Sequence, residues 1–236
     1  MKPLLEKYLR PTAILDCDHP AVIHFAANIA GKTENDPVKT AVRLYYAVRD
    51  GIRYDPYVPF HRSAHYRASN IIKWRRGYCV GKAALLCAVA RARGIPCRLG
   101  FATVRNHLAS EKLIAHIGSD HFVYHGYVEF WLNRRWVKAT PAFNAELCEL
   151  HHVDPLEFDG HSDAIYQSFN RDHKRYIEYL ADHGTFDDVP VAAIVNAWKV
   201  AYGVHRVQGW IDNYLAQDDG ERCPVRDFYS EPPLIS

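Results

Sequence analysis

The residue best placed for covalent chemistry is Cys79. It opens a run of small and aliphatic residues that Gly94 and Pro96 bring to an end, a pattern that predicts a buried helix beginning at the cysteine. The first turn of a helix carries unpaired N–H groups and the positive end of the dipole, which together favour a thiolate over a thiol. We therefore predict that Cys79 is a nucleophile, and that Cys87 and Cys97 are buried structural thiols.

A cysteine nucleophile needs a base, usually a histidine that the fold brings close to it. Of the 14 histidines, His125 lies in the middle of a predicted strand and precedes Gly126, whose missing side chain leaves room for another group to approach. His121 lies at the start of that strand and is the weaker candidate, so we predict His125 as the base. Strict alternation would put His125 on one face of the strand with Val123, Tyr127, Glu129 and Trp131.

The elements before Cys79 are predicted to be mostly helical. One helix is expected from about residue 20 to 31, and a second has Asp36 as its N-cap and ends at residues 50–51. Residues 52–57 are typical of a short strand or an extended crossing, and residues 69–74 of a brief helix. That brief helix would deliver the chain to Cys79.

Strands are predicted to follow the cysteine helix. Residues 97–104, 122–132 and 135–139 are rich in strand formers and would pair as an antiparallel meander. The polar connection 105–121 is too long for a tight turn, and we predict a loop there, beside the site. The meander would give the cysteine helix a sheet to pack against.

The last part of the chain is predicted to be helical. Helices are expected near residues 173–183, 190–202 and 208–216, before a loosely held tail after about residue 220. A length of 236 residues fits one domain, and we predict an α+β fold in which the helix carrying the cysteine packs on an antiparallel sheet. Its parts would be N-terminal helices (1–51), a core (about 52–144) and a C-terminal helical extension (145–236).

Two stretches, "GYCVGKAALLCAVARARGIPCRLGFA" and "HGYVEFWLNRRWVKATP", together resemble the transglutaminase-like superfamily over roughly residues 52–144. The resemblance implies a nucleophile at Cys79 and a base at His125. The acid of the family falls on Thr140, just before Pro141. A threonine hydroxyl can accept the hydrogen bond that an aspartate would accept from the imidazole, but it carries no charge. Other groups that could orient the histidine are Asp120, Glu129 and Asn144.

The chemistry implied by a cysteine and a histidine is acyl transfer through a thioester on Cys79, either to water or to an amine. The substrate would be a small-molecule amide or a peptide or protein. The backbone N–H of Cys79 would bind the oxyanion together with one more donor, for which Tyr54, Asn70 and Trp74 are candidates. The alternative is a binding module that kept this fold and lost activity when threonine replaced the acid.

Composition excludes several other classes of protein. A formal charge of +2 gives no reason to expect nucleic acid, and no apolar run has the length of a signal peptide or a membrane helix, so we expect a cytoplasmic protein. The segment 148–163 is rich in histidine, yet its spacing fits no standard zinc pattern, so neither a metal nor a cofactor is expected. The possible ligands in segment 148–163 are Cys148, His151, His152, Asp154, His161 and Asp163. The sequence leaves the oligomeric state open.

Overall fold

A computed structural model describes residues 5–31, 35–217 and 228–232. Two helices come first, at the predicted places: α1 (Pro20–Ala30) and α2 (Pro37–Gly51). The Asp36 carboxylate accepts hydrogen bonds from the N–H groups of Val38 and Lys39, and this capping fixes where α2 begins.

A short parallel pair brings the chain to the cysteine. Strand β1 (Arg53–Tyr54) pairs with β2 (Arg76–Gly77) in the register that sets Tyr54 opposite Gly77. Helix α3 (Ala68–Trp74) lies between them in sequence and ends at Arg75, which adopts a left-handed conformation with φ of 54°. The pairing sets Tyr54 beside Gly77, and the next helix begins two residues after Gly77.

Helix α4 (Cys79–Ala92) is the centre of the fold. Every residue from Cys79 to Arg91 is buried, as expected for a helix enclosed on all sides rather than one with a solvent face. Gly94 follows with a φ of +71°, in the left-handed region that favours glycine, and turns the chain towards the sheet.

Strands β3 (Cys97–Asn106), β4 (His121–Leu132) and β5 (Arg135–Ala139) form the predicted meander. With β6 (Ile177–Phe186) they make a four-stranded antiparallel sheet in the order β5-β4-β3-β6. One face of the sheet packs in the main core against α4, through residues such as Phe101 and Val128. The opposite face contributes Ala102 and Tyr127 to a second, smaller cluster.

The fourth strand corrects a prediction. Residues 173–183 were expected to be helical, but β6 (Ile177–Phe186) pairs with β3 at the edge of the sheet, so the extension 145–236 is mixed rather than helical. This strand is largely exposed, and its backbone groups are satisfied by β3, which a local pattern cannot reveal. Tertiary pairing therefore decided the conformation here.

A second correction concerns the predicted loop 105–121, which contains helix α5 (Glu111–Ile117). Ser110 caps this helix by accepting a hydrogen bond from the N–H of Leu113, and Gly118 ends it with a φ of +79°. Both signals were present in the sequence.

The chain continues through helix α6 (Ala145–Leu150) and, after β6, through α7 (Val191–Tyr202) and α8 (Val204–Gln217). Helix α7 confirms its prediction, and α8 starts earlier than expected. The predicted tail lies mostly outside the described residues; within it, the turn Phe228–Ser230 buries Phe228. No helix in the described part of the chain combines the length and the apolar character needed to cross a membrane.

Candidate active site

Cys79 is the first residue of α4, as predicted, and its side chain is buried. The backbone N–H groups of Gly126, Val80 and Cys79 itself act on the sulfur and lower the pKa of the thiol. Burial has the larger effect and raises that pKa to about 12. The resting thiol is therefore protonated at neutral pH, in contrast to the thiolate expected from the helix start alone.

Strand β4 passes directly against the first turn of α4. A Cβ atom at Gly126 would lie 3.0 Å from the Cα of Val80 and 3.4 Å from the carbonyl oxygen of Cys79, so only glycine fits between these two backbones. This close approach brings the residue before Gly126 to the cysteine helix. That residue is His125.

His125 follows a β-bulge. The register of β3 and β4 shifts between the pairs Ala102–His125 and Val104–Phe122, and Tyr124 in between has a φ of 60°. The bulge interrupts the strict alternation predicted for this strand, and as a result Val123, Tyr124 and His125 all line one cavity.

The imidazole of His125 is buried and neutral. Burial lowers its pKa to about 4. Its Nδ1 lies 3.3 Å from the hydroxyl of Tyr166, and its Nε2 has no hydrogen-bond partner among the described residues. Which of the two nitrogens carries the proton depends on whether Tyr166 donates or accepts in this bond.

Cys79 and His125 line the same cavity, which has a volume of about 50 Å³. Helices α7 and α8 contribute four of the lining residues, and the others come from residues 54–60, the start of α4, the end of α5 and the β4 bulge. Most of the lining side chains are aromatic: Tyr54, Phe60, Tyr78, Phe122, Tyr124, Trp198, Tyr202, Trp210 and Tyr214.

Thr140, which the resemblance predicted at the position of the family's acid, lies just after β5. Its side chain is buried, and its Oγ1 has no hydrogen-bond partner in the described part of the structure. The last register pair of β4 and β5 is Val128 with Ala139, so Thr140 lies just beyond the paired residues. Among the described hydrogen bonds, none joins Thr140 to His125.

The ring of Phe143 lies near the imidazole of His125, with centroids 6.3 Å apart. The hydroxyl that contacts the imidazole belongs to Tyr166, which the sequence did not identify. Its ring meets the imidazole edge to face, with centroids 5.3 Å apart and an interplanar angle of 74°. Tyr166 is 41 positions downstream, in the irregular segment between α6 and β6. No periodicity or motif marks such a residue, so only the folded chain reveals the contact.

The three other candidates for orienting His125 are engaged elsewhere. Asp120 pairs with Arg105 at 2.6 Å, and Glu129 with Arg98 at 2.6 Å. Asn144 belongs to a buried network around the first turns of α4, described next.

Lys82 is fully buried one turn after the cysteine. Its Nζ donates to the carbonyl oxygens of Arg49 (2.8 Å) and Ile52 (2.7 Å), at the end of α2. Burial lowers the pKa of this amine well below its usual value.

Asn144 joins Lys82 to β1. Its Oδ1 accepts from the N–H of Tyr54 at 2.7 Å and lies 3.4 Å from the Lys82 amine. The network ties β1 and α2 to the helix that carries Cys79.

The predicted oxyanion donors are not all in one place. Tyr54 lines the cavity, but its backbone N–H is bound by Asn144. Asn70 donates to the carbonyl of Ala64, and Trp74 packs on the main core; neither is among the residues that line the cavity. The N–H groups that act on the sulfur are instead those of Gly126, Val80 and Cys79.

The histidine-rich segment does not gather into a metal site. Within the described residues, no three histidine, cysteine, aspartate or glutamate side chains are grouped so that they could hold a metal ion. His151 is buried and lines a second cavity, of about 20 Å³, that also reaches His125. The five cysteines that the structure describes are buried free thiols, and Cys223 lies outside the described residues.

Comparison with known proteins identifies the family of the chain. The family model of the transglutaminase-like superfamily matches residues 23–141, which include Cys79, His125 and Thr140. A comparison with curated proteins finds no match.

The solved structures that resemble this chain include two that cover most of it. One is a candidate cysteine protease from Cytophaga hutchinsonii, with 16% identity and a TM-score of 0.49, covering 82% of this chain and 50% of that chain. The other is the red sea bream transglutaminase, with 15% identity and a TM-score of 0.37, covering 86% of this chain and 41% of that chain. The chain thus spans half the length of the first structure and less than half the length of the second. On the family match over half of its residues, this chain belongs to the transglutaminase-like superfamily.

Proposed function

We propose that this protein transfers the acyl group of an amide or peptide to water or to an amine through a thioester on Cys79, with His125 as the base. The observation that carries the proposal is the position of Cys79. Its sulfur meets backbone N–H groups at the start of a buried helix, in a cavity that it shares with His125. Donors fixed in a water-poor site can stabilise negative charge without reorganising.

The resting pair is a neutral thiol and a neutral imidazole, because burial disfavours both charged forms. In the proposed reaction the thiol proton moves to His125 as the sulfur attacks the carbonyl carbon. The N–H of Cys79 binds the oxyanion, the C–N bond breaks, and His125 returns the proton to the leaving amine. Water or an amine then attacks the thioester by the same route in reverse.

Tyr166 is proposed to orient the imidazole. If its oxygen accepts the hydrogen bond from Nδ1–H, then Nε2 carries the lone pair and can take the proton. A neutral orienting group is compatible with cysteine catalysis, since asparagine serves in that place in papain-like enzymes. Thr140 is the competing proposal, and it rests on sequence position together with a hydroxyl that has no partner among the described residues.

The proposal is tested by release of the amine from a panel of neutral anilides under single-turnover conditions. We expect release with the unaltered protein and none with Cys79→Ala. Cys148→Ala is the matched control, because it removes another buried thiol that does not line the site cavity. Amine release that persists in Cys79→Ala would reject the nucleophile, and no release from any donor would favour a binding module.

A further inference from the structure

We infer that helices α7 and α8 form a cap over Cys79, and that the inner face of this cap binds an uncharged aromatic side chain or acyl group of the substrate. The inference rests on the proposed function for the position of the reacting bond. The cap is defined here as residues 191–217, which are Val191–Tyr202 and Val204–Gln217 with Gly203 between them.

Among the described residues that line the cavity there is no lysine, arginine, aspartate or glutamate, and the two histidines are His116 and His125. This part of the lining has no formal charge of its own. A charged substrate group placed here would lose its hydration without meeting an opposite charge. The composition of the lining therefore selects against ions.

The polar tips of three of the four cap rings that line the cavity are already hydrogen-bonded. The Nε1 of Trp198 donates to the carbonyl of Val123 at 2.8 Å, and the Tyr202 hydroxyl accepts from the N–H of Val123 at 2.8 Å. The Tyr214 hydroxyl donates to the carbonyl of Tyr57 at 2.7 Å. These rings consequently offer a ligand their faces and edges rather than hydrogen bonds, which suits another aromatic ring.

The cavity of about 50 Å³ is small for such a ring, since a cavity of roughly 150 Å³ holds benzene. We therefore expect the cap to shift when a ring enters the cavity completely. The cap is attached through Trp198 and Tyr202 to residues 121–123, directly before the bulge that places His125. A shift of the cap would therefore also move the residues that precede His125.

Binding can be measured apart from turnover by calorimetry on the Cys79→Ala protein. The probes are 3-phenylpropionamide, hexanamide, the cationic 6-aminohexanamide and the anionic adipamic acid. We expect 3-phenylpropionamide to bind at least about tenfold more tightly than either charged amide, with hexanamide in between. A cation–π cage would instead bind 6-aminohexanamide best. That result, or no binding of 3-phenylpropionamide, would overturn the inference.

Paired variants locate the binding site. Trp210→Leu removes a ring from the cavity lining, whereas Trp131→Leu makes the same change beside Trp136, on a part of β4 that does not line it. We expect roughly tenfold weaker binding of 3-phenylpropionamide in the first and no change in the second. Phe60→Leu is a second lining variant, to be used if Trp210→Leu fails to fold. Unchanged affinity in a folded lining variant would overturn the inference.

The two proposals fail differently. If Cys79→Ala binds 3-phenylpropionamide but the unaltered protein forms no thioester with a phenylpropionyl donor, then the aromatic subsite stands and acyl transfer does not. If thioesters form equally fast from charged and aromatic donors, then acyl transfer stands and the aromatic subsite does not.

Discussion

Gly126 of the central strand lies so close to Val80 of the cysteine helix that a Cβ atom would stand 3.0 Å from the Cα of Val80. The backbones of Gly126 and Val80 are both fixed by regular structure, so neither can move aside without a cost in stability. This contact sets the separation between the strand that carries His125 and the helix that begins at Cys79.

Replacement of Gly126 by alanine is therefore predicted to lower the free energy of unfolding by about 1–3 kcal/mol, because the methyl group overpacks a backbone contact. The rate of acyl transfer should also fall, because the methyl group pushes the strand that carries His125 away from the sulfur of Cys79. Chemical denaturation measures the first effect. Gly51→Ala is the control: a Cβ there meets nothing within 4 Å, and stability should hold or rise slightly. Equal stability of the two variants would show that the contact is looser than described.

The orienting residue is tested by Tyr166→Phe, which removes only the hydroxyl that lies 3.3 Å from His125 Nδ1. We expect kcat to fall by roughly tenfold, which corresponds to one hydrogen bond of ordinary strength, with KM little changed. The acidic limb of the pH–rate profile should also move, because the tautomer of His125 is no longer fixed. Thr140→Val is the paired variant and should be nearly neutral. The reverse pattern would give the orienting role to Thr140.

Acid should destabilise the protein through two buried histidines. Burial lowers the pKa of His125 and of His151 to about 4, against about 6.5 in an unfolded chain. Between those values the unfolded chain binds protons that the native state does not, so stability falls as the pH falls from 6.5 towards 4. The loss is about 3 kcal/mol for each histidine.

Denaturation midpoints between pH 7 and 4 measure this effect. His125→Asn and His151→Asn should each flatten the slope, and the double variant should flatten it most. If the slope is unchanged in both single variants, then these histidines titrate normally in the native state and the description of their burial is wrong.

Alkylation of Cys79 by iodoacetamide in the free protein is predicted to be slow and to show no plateau below pH 8. The reason is that burial raises the pKa of the thiol to about 12 and keeps the neighbouring imidazole neutral. Mass spectrometry of the Cys79 peptide at a series of pH values gives the rates. A plateau near pH 6 would instead indicate a thiolate–imidazolium pair at rest.

Sequence reasoning predicted the parts of the site that local chemistry controls. The sequence shows directly that small residues lie on every side of the helix after Cys79 and that a glycine follows His125. The β-bulge at Tyr124 is not, because it depends on how two strands of unequal length pair.

Long-range contacts account for the rest. Tyr166 reaches His125 from 41 residues away, and β6 is a strand only because the edge of β3 is free to pair with it. The cap was predicted as helix, but nothing in its amphipathic pattern said that Trp198 and Tyr202 would cover Cys79. Such contacts are properties of the folded chain.

The most direct test of acyl transfer at Cys79 is the intact mass of the protein after brief exposure to 4-nitrophenyl 3-phenylpropionate, an activated aromatic donor. We predict one added phenylpropionyl group, mapped to the Cys79 peptide, absent from Cys79→Ala and strongly reduced in His125→Ala. An adduct that maps to another cysteine, or one that forms equally well without His125, would contradict it.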